Sequence, residues 1–166
     1  MTRGQEPGRG AVPITFRVPS GWLPVPPEKV GAPDSVFIAV HERPDDGFTA
    51  SITACEQPGC AEPEAVAAAA LDALRAEGVD VVDVGRERVG SSITQVARLS
   101  LRVDGRSLEL TQAQVYLSFT DEHSGTGVLL RLVLTATRRR FDALLGDFQY
   151  LVWTLGSDRA RWRDRG

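Results

Sequence analysis

Near the start of the chain, Ile14, Phe16 and Val18 alternate with Thr15 and Arg17, the period-two pattern of a half-buried strand, and Pro19 ends it. The following Ser20-Gly21-Trp22-Leu23-Pro24-Val25-Pro26-Pro27 carries too many prolines for a ladder and reads as a crossing loop anchored by Trp22. Ser35 to Glu42 is an apolar run of strand length. Phe48, Ala50, Ile52 and Ala54 then alternate with Thr49, Ser51 and Thr53, and Arg43 to Gly47 forms the turn of a hairpin between the two runs. Pro63 at a first helical turn, Glu62 and Glu64 beside it and Gly78 past the end frame a helix with Val66, Ala67, Ala70, Leu71 and Leu74 on one face. Four strand patterns follow: Val79 to Val89, Ile93 to Val103, Ser107 to Phe119 and Val128 to Ala136, with Asp104-Gly105 as a two-residue hairpin signal. In Ser107 to Phe119 the apolar phase shifts from Leu108 and Leu110 to Ala113, Val115, Leu117 and Phe119, which predicts a bulge near Thr111 or Gln112. Phe141, Leu144, Leu145, Phe148, Val152 and Leu155 fall at helical spacing, so Arg138 to Leu155 reads as a long closing helix that Gly156 stops.

The pattern predicts an α+β fold in the order βββ-α-ββββ-α: an antiparallel twisted sheet of about six to seven strands flanked by two helices. Residues 1–12 read as a flexible leader, 13–156 as one domain and 157–166 as a mobile basic tail without periodicity. The length of 166 residues suits one domain, and 42% apolar residues suffice for a core. All ten prolines lie at or before Pro63, so the later two thirds should be continuous secondary structure.

Net charge is -3, which leaves no positive field for nucleic acid, and no apolar run reaches the ~20 residues of a membrane span. Residues 1–12 lack the apolar core of a signal peptide, so the expected location is cytoplasmic. The charge is uneven: residues 1–126 carry 11 basic and 18 acidic groups, residues 127–166 carry 8 and 4, so an acidic partner would prefer the C-terminal end.

The entry Ile14-Thr15-Phe16-Arg17-Val18-Pro19-Ser20-Gly21-Trp22 and the closing Phe141, Phe148 and Val152 resemble the PsbP, DcrB and LpqN-like proteins. The resemblance spans about residues 13 to 156 and rests on packing signatures. It implies the fold that also contains a Ran-binding Mog-type protein, and a role in binding other macromolecules as an adaptor or specialised chaperone, linked to secretion or complex assembly. The chain departs from the lipoprotein members in having no lipidation cysteine near its start.

A catalytic set is not evident. Neither Gly-x-Ser-x-Gly nor a P-loop occurs, and Gly125-Thr126-Gly127 precedes a strand rather than a helix. The expectation is a non-catalytic protein-binding module without a cofactor or a metal. The alternative is an enzyme or small-ligand binder that assembles His41, Asp45, His123 and Glu122, with Asp46 and Asp121 beside them, from separate loops. Cys55 and Cys60 match neither a redox nor a zinc spacing and read as separate thiols, with pairing under oxidation as the alternative. The candidate partner-binding residues are Arg138, Arg139 and Arg140, three cations placed where the dipole of a helix start disfavours them, and Trp162 among the tail arginines. For each, the alternative is a solvated surface: acids nearby neutralising the arginines, and the tail serving solubility. The partner expected is a protein with an acidic surface, and a homodimer is compatible with the sequence.

Overall fold

The computed structural model describes residues 5–7, 15–31, 35–59, 62–120 and 127–163. Strand β1 (Gln5–Pro7) pairs with β2 (Thr15–Arg17) in a two-stranded ribbon that lies against the closing helix. Next come β3 (Trp22–Pro24), a 3-10 turn at Pro27–Val30, β4 (Ser35–His41), β5 (Ser51–Pro58), α1 (Pro63–Ala76), β6 (Asp80–Val89), β7 (Ser92–Val103), β8 (Arg106–Thr120), β9 (Gly127–Thr137) and α2 (Phe141–Arg163). Strands β3 to β9 form one antiparallel seven-stranded sheet in the order β3-β4-β5-β9-β8-β7-β6.

The expected α+β order and the size of the sheet hold, and Asp-Gly pairs explain two of its hairpins. Asp46 and Gly47 have φ of 52° and 75°, and Asp104 and Gly105 of 52° and 77°, the left-handed pairs that let two-residue turns follow the strand twist. Three details differ from the sequence pattern. The expected loop at Ser20 to Pro27 contains β3, an edge strand that bonds on one side only, so Pro24 costs no ladder bond there. Gln5–Pro7, expected in the leader, pairs with β2, which stands outside the main sheet. The bulge near Thr111 or Gln112 is absent, because β8 pairs with β7 and β9 in unbroken register from Leu110 to Tyr116.

The apolar phase shift in β8 has another cause: both faces of the sheet are covered, each by a different helix and over a different stretch of strand. Leu108 and Leu110 pack with Leu71 and Leu74 of α1, whereas Ala113, Val115 and Leu117 pack with the α2 side. The larger core lies under α2, where Trp22, Ile52, Leu130, Leu132 and Leu134 meet Phe141, Leu144, Phe148, Leu151 and Leu155. Alanines at 67 and 70 let α1 lie close on β6, β7 and β8, and it reaches β9 at Leu129. Gly156 lies within α2, which continues to Arg163. The helical register thereby puts position 162 seven residues past Leu155, on the same line of the helix as Phe148.

Candidate functional site

The corner where β9 meets α2 holds the three arginines. They lie in a turn before the helix rather than in its first turn: α2 starts at Phe141, and its first intrahelical bond runs from Leu144 N to the Arg140 carbonyl. The cations still flank the positive end of the helix, and the bonds of Arg139 and Arg140 to the β4–β5 turn offset the conflict expected there. The Arg138 amide donates to the Glu109 carbonyl at 3.1 Å, Arg140 Nη1 donates to the Arg43 carbonyl at 2.8 Å, and Arg139 forms an ion pair with Asp45. Asp45 also accepts from Thr137 Oγ1 at 2.7 Å. The Arg139 and Thr137 hydrogen bonds hold the Asp45 carboxyl below the usual carboxylate range. Of the three arginines, Arg139 and Arg140 are thus bound to the β4–β5 turn. The side chain of Arg138 is exposed and lines two open clefts, of about 540 and 410 Å³, where acids and bases alternate. Glu109, on the rim of the first, is held below its ordinary range by the hydroxyls of Ser100 and Ser107.

A second region lies on the α1 face of the sheet. Strand pairing aligns Arg131, Val133 and Thr135 of β9 with Cys55, Thr53 and Ser51 of β5, and then Thr53 and Ser51 with Ile38 and Val40 of β4. Helix α1 covers the β6–β8 half of this face, so this quadrant lies beside the helix rather than beneath it. Ser51, Thr53, Cys55, Arg131, Thr135 and Val40 are half-buried, and Leu23 at the edge is 39% exposed. Arg131 is the one charge on this row. Its guanidinium stands 6.0 Å from the Tyr116 ring centroid, its Nε is buried without a hydrogen bond, and among the described residues no carboxylate pairs with it. Burial pushes the Tyr116 phenol up, and the nearby Arg131 charge partly opposes that.

Beneath α1 the sheet carries a chain of amides. Gln95 Nε2 donates to the Ala67 carbonyl at 3.1 Å and to Gln114 Oε1 at 2.9 Å, and Tyr116 OH donates to the same oxygen at 2.6 Å. Gln114 Nε2 donates to Gln112 Oε1, and Gln112 Nε2 to Thr135 Oγ1, so the chain ends in the open quadrant. Gln95, Gln114 and Tyr116 are fully buried and mutually satisfied, which marks this network as structural support for the quadrant.

The dispersed histidine and acid set is not brought together by what is described. His41 accepts from the Arg43 amide and meets Trp22 edge-on at 5.0 Å, while Asp45 is engaged by Arg139 and Thr137. His123, Asp121 and Glu122 lie outside the described residues, as do Cys60 and the side chain of Trp162. Among the described residues no group of three His, Cys, Asp or Glu could hold a metal, and Cys55 is a free thiol 3.6 Å from Ser35 Oγ. Sequence reasoning missed Arg131, although it interrupts the apolar run Val128-Leu129-Leu130-Arg131-Leu132-Val133-Leu134, and a lone cation in a central strand is itself a signal.

No family model and no curated protein matches the chain. Solved structures do. The crystal structure of LpqN, involved in cell envelope biogenesis of Mycobacterium tuberculosis, superposes with a TM-score of 0.59 at 21% identity over 89% of this chain and 87% of that one. The solution structure of cyanobacterial PsbP (CyanoP) from Synechocystis sp. PCC 6803 gives a TM-score of 0.51 at 11% identity over 83% and 82%. At these identities the likeness is one of fold.

Proposed function

From the fold that the chain has in common with LpqN and cyanobacterial PsbP, we propose that it is a non-catalytic protein-binding module, an adaptor or specialised chaperone. The segment it binds lies on the β5–β9 quadrant and carries an acidic side chain. The observation that carries this reading is Arg131: a half-buried guanidinium at the centre of a neutral, hydroxyl-lined sheet face, with an unbonded Nε and no carboxylate partner among the described residues. A carboxylate from a partner would complete its hydrogen bonds in a geometry suited to arginine. Val133 continues the face along β9 from Arg131, Val40 and Leu23 give it an apolar far edge in the row of Thr135, and the satisfied amide network below keeps the floor rigid. Of the three corner arginines only Arg138 has no side-chain bond among the described residues, and it stands exposed among the acids Asp46, Asp83, Glu109 and Asp142, while Arg139 and Arg140 serve the fold.

The test is site-specific photo-crosslinking in the native cell with the reactive residue at Thr53, and at exposed Arg102 on the β7–β8 hairpin as control. A discrete protein adduct at Thr53 that Arg131→Gln lowers several-fold, and that is absent at Arg102, is expected. No adduct at Thr53, or one that Arg131→Gln leaves at full yield, would sink the proposal.

A further inference from the structure

Helix α2 lies along β9 and leaves the β6–β7 side of its own face open, diagonally opposite the β5–β9 quadrant. Strand pairing sets Asp83, Arg98 and Thr111 in one row across β6, β7 and β8, and Gly85, Val96 and Ala113 in the next. Both rows face α2, since Ala113 belongs to the core beneath that helix and Val96 packs against it. A cleft of about 410 Å³ lies between these rows and the start of α2, with Arg138, Phe141 and Asp142 on its helix side. Four charges line it, two of each sign, and among the described residues none of them forms an ion pair, with one another or elsewhere. Asp83 and Arg98 stay apart although they stand directly opposite each other across the ladder, where an opposite-charge pair is ordinarily favourable. Thr111 is the second unusual group. It is 5% exposed, yet among the described residues its hydroxyl has no hydrogen-bond partner, which a buried hydroxyl normally finds. The hydroxyl oxygen is not sealed off either, so the small part of Thr111 that remains accessible includes Oγ1 and opens on the cleft.

We propose that this cleft binds a small zwitterion of the α-amino acid class with an apolar side chain. The carboxylate of the ligand sits between Arg98 and Arg138 and accepts from Thr111 Oγ1, its ammonium faces Asp83, and its side chain lies on Val96 and Phe141. Neighbouring strands stand ~4.8 Å apart, so the acid, the base and the hydroxyl of the first row are all within reach of one small molecule. Charge decides the class. The lining sums to zero, so a simple anion would bring its charge against Asp83 and Asp142, and a simple cation against both arginines. A ligand carrying both charges meets each with its opposite. Asp142 itself stands in the first turn of α2, where the dipole of the helix favours an acid. Arg138 is not claimed from its other side: Glu109, across the corner, already accepts from the hydroxyls of Ser100 and Ser107. The volume, near the small end of the ~300–1,000 Å³ of ligand sites, suits a molecule of this size. The cleft and the β5–β9 quadrant lie on opposite faces of the sheet, so the two can be occupied together.

Titration of the isotope-labelled full chain with L-leucine, followed by amide chemical shifts, is expected to give saturable changes at Gly85, Thr111 and Asp142 in the millimolar range or below. Two probes each lack one charge: isocaproate keeps the carboxylate and isoamylamine keeps the ammonium, and each should bind about tenfold or more weakly than leucine. Arg98→Gln and Thr111→Val should each weaken leucine binding by about tenfold. Thr111 Oγ1 has no bond within the described fold to lose, so Thr111→Val should melt with the wild type, and the exposed Arg98→Gln gives a second variant that leaves the core untouched. Shifts that do not saturate, either probe bound as tightly as leucine, or leucine binding that Arg98→Gln or Thr111→Val leaves intact would each overturn the proposal.

Discussion

Asp45 is the residue on which the β9–α2 corner turns. Its carboxylate accepts from Thr137 and pairs with Arg139, and these bonds depress its pKa. A carboxylate whose folded pKa lies below its unfolded value of ~3.9 contributes stability that is fully present above that value and is lost as the pH falls through the depressed one. Asp45→Asn should therefore melt below the wild type at pH 7, with the gap closing as the pH is lowered past about 4, as followed by thermal unfolding at a series of pH values. Equal gaps at pH 7 and in acid would remove the ion pair from the account. Trp22 makes a comparable link in the core, since its buried indole donates to Asp147 of α2 at 2.9 Å. Trp22→Phe keeps an aromatic ring but leaves that bond unmade, and a loss of about 1.5–3 kcal/mol is expected in denaturant titration. Trp22 was legible in the sequence as an anchor. The Arg139–Asp45 pair was not, because 94 residues separate the partners and nothing local to either one names the other.

Helix α1 depends on the amides beneath it. Gln114→Leu would leave the Tyr116 hydroxyl without its acceptor and take one of the two acceptors of Gln95 Nε2, which keeps its bond to the Ala67 carbonyl, so it should cost about 1–3 kcal/mol, mostly at Tyr116. Adding Gln95→Leu should cost less than the sum of the single changes, and additive losses would show that the two amides act independently. The hairpins have a sharper local requirement. Gly105 adopts a φ of 77°, where a Cβ costs about 1–2 kcal/mol, and Gly105→Ala should lower stability by that amount although space around the residue is open. At the other end of the chain, removal of residues 157–166 takes away no position that packs in the described core. The melting temperature should be almost unchanged, and a large fall would show that the end of α2 packs on the domain. Element type was readable wherever period two or period 3.6 ran for several residues, because these are local properties, whereas the three-residue strands β1 and β3, read as leader and loop, are too short to show a period. Element ends and the shift in β8 were not, since burial on both faces imitates a bulge in a one-faced reading.

At the scale of the molecule the two helices cover opposite halves of opposite faces, and this sets where substitutions hurt. Leu132, in the central strand under α2, is fully buried, so Leu132→Ala should cost about 2–5 kcal/mol in denaturant titration, whereas Leu23→Ser on the open quadrant should stay within about 0.5 kcal/mol. A large effect at Leu23 would show that this edge is packed rather than open. The order of strands and helices, the Asp-Gly hairpins, the α1 frame and the core stripe of α2 were determined by the sequence itself, because each rests on residues within one or two turns of chain whose spacing or backbone preference is decisive. Only the tertiary structure decided which face of each strand a helix covers, that Arg139 and Arg140 belong to the β4–β5 turn, and that among the described residues no carboxylate pairs with Arg131. Those outcomes depend on strands and helices far apart in the chain meeting across the sheet, and the free energy of such meetings resides in pairs of surfaces rather than in the pattern of either one alone.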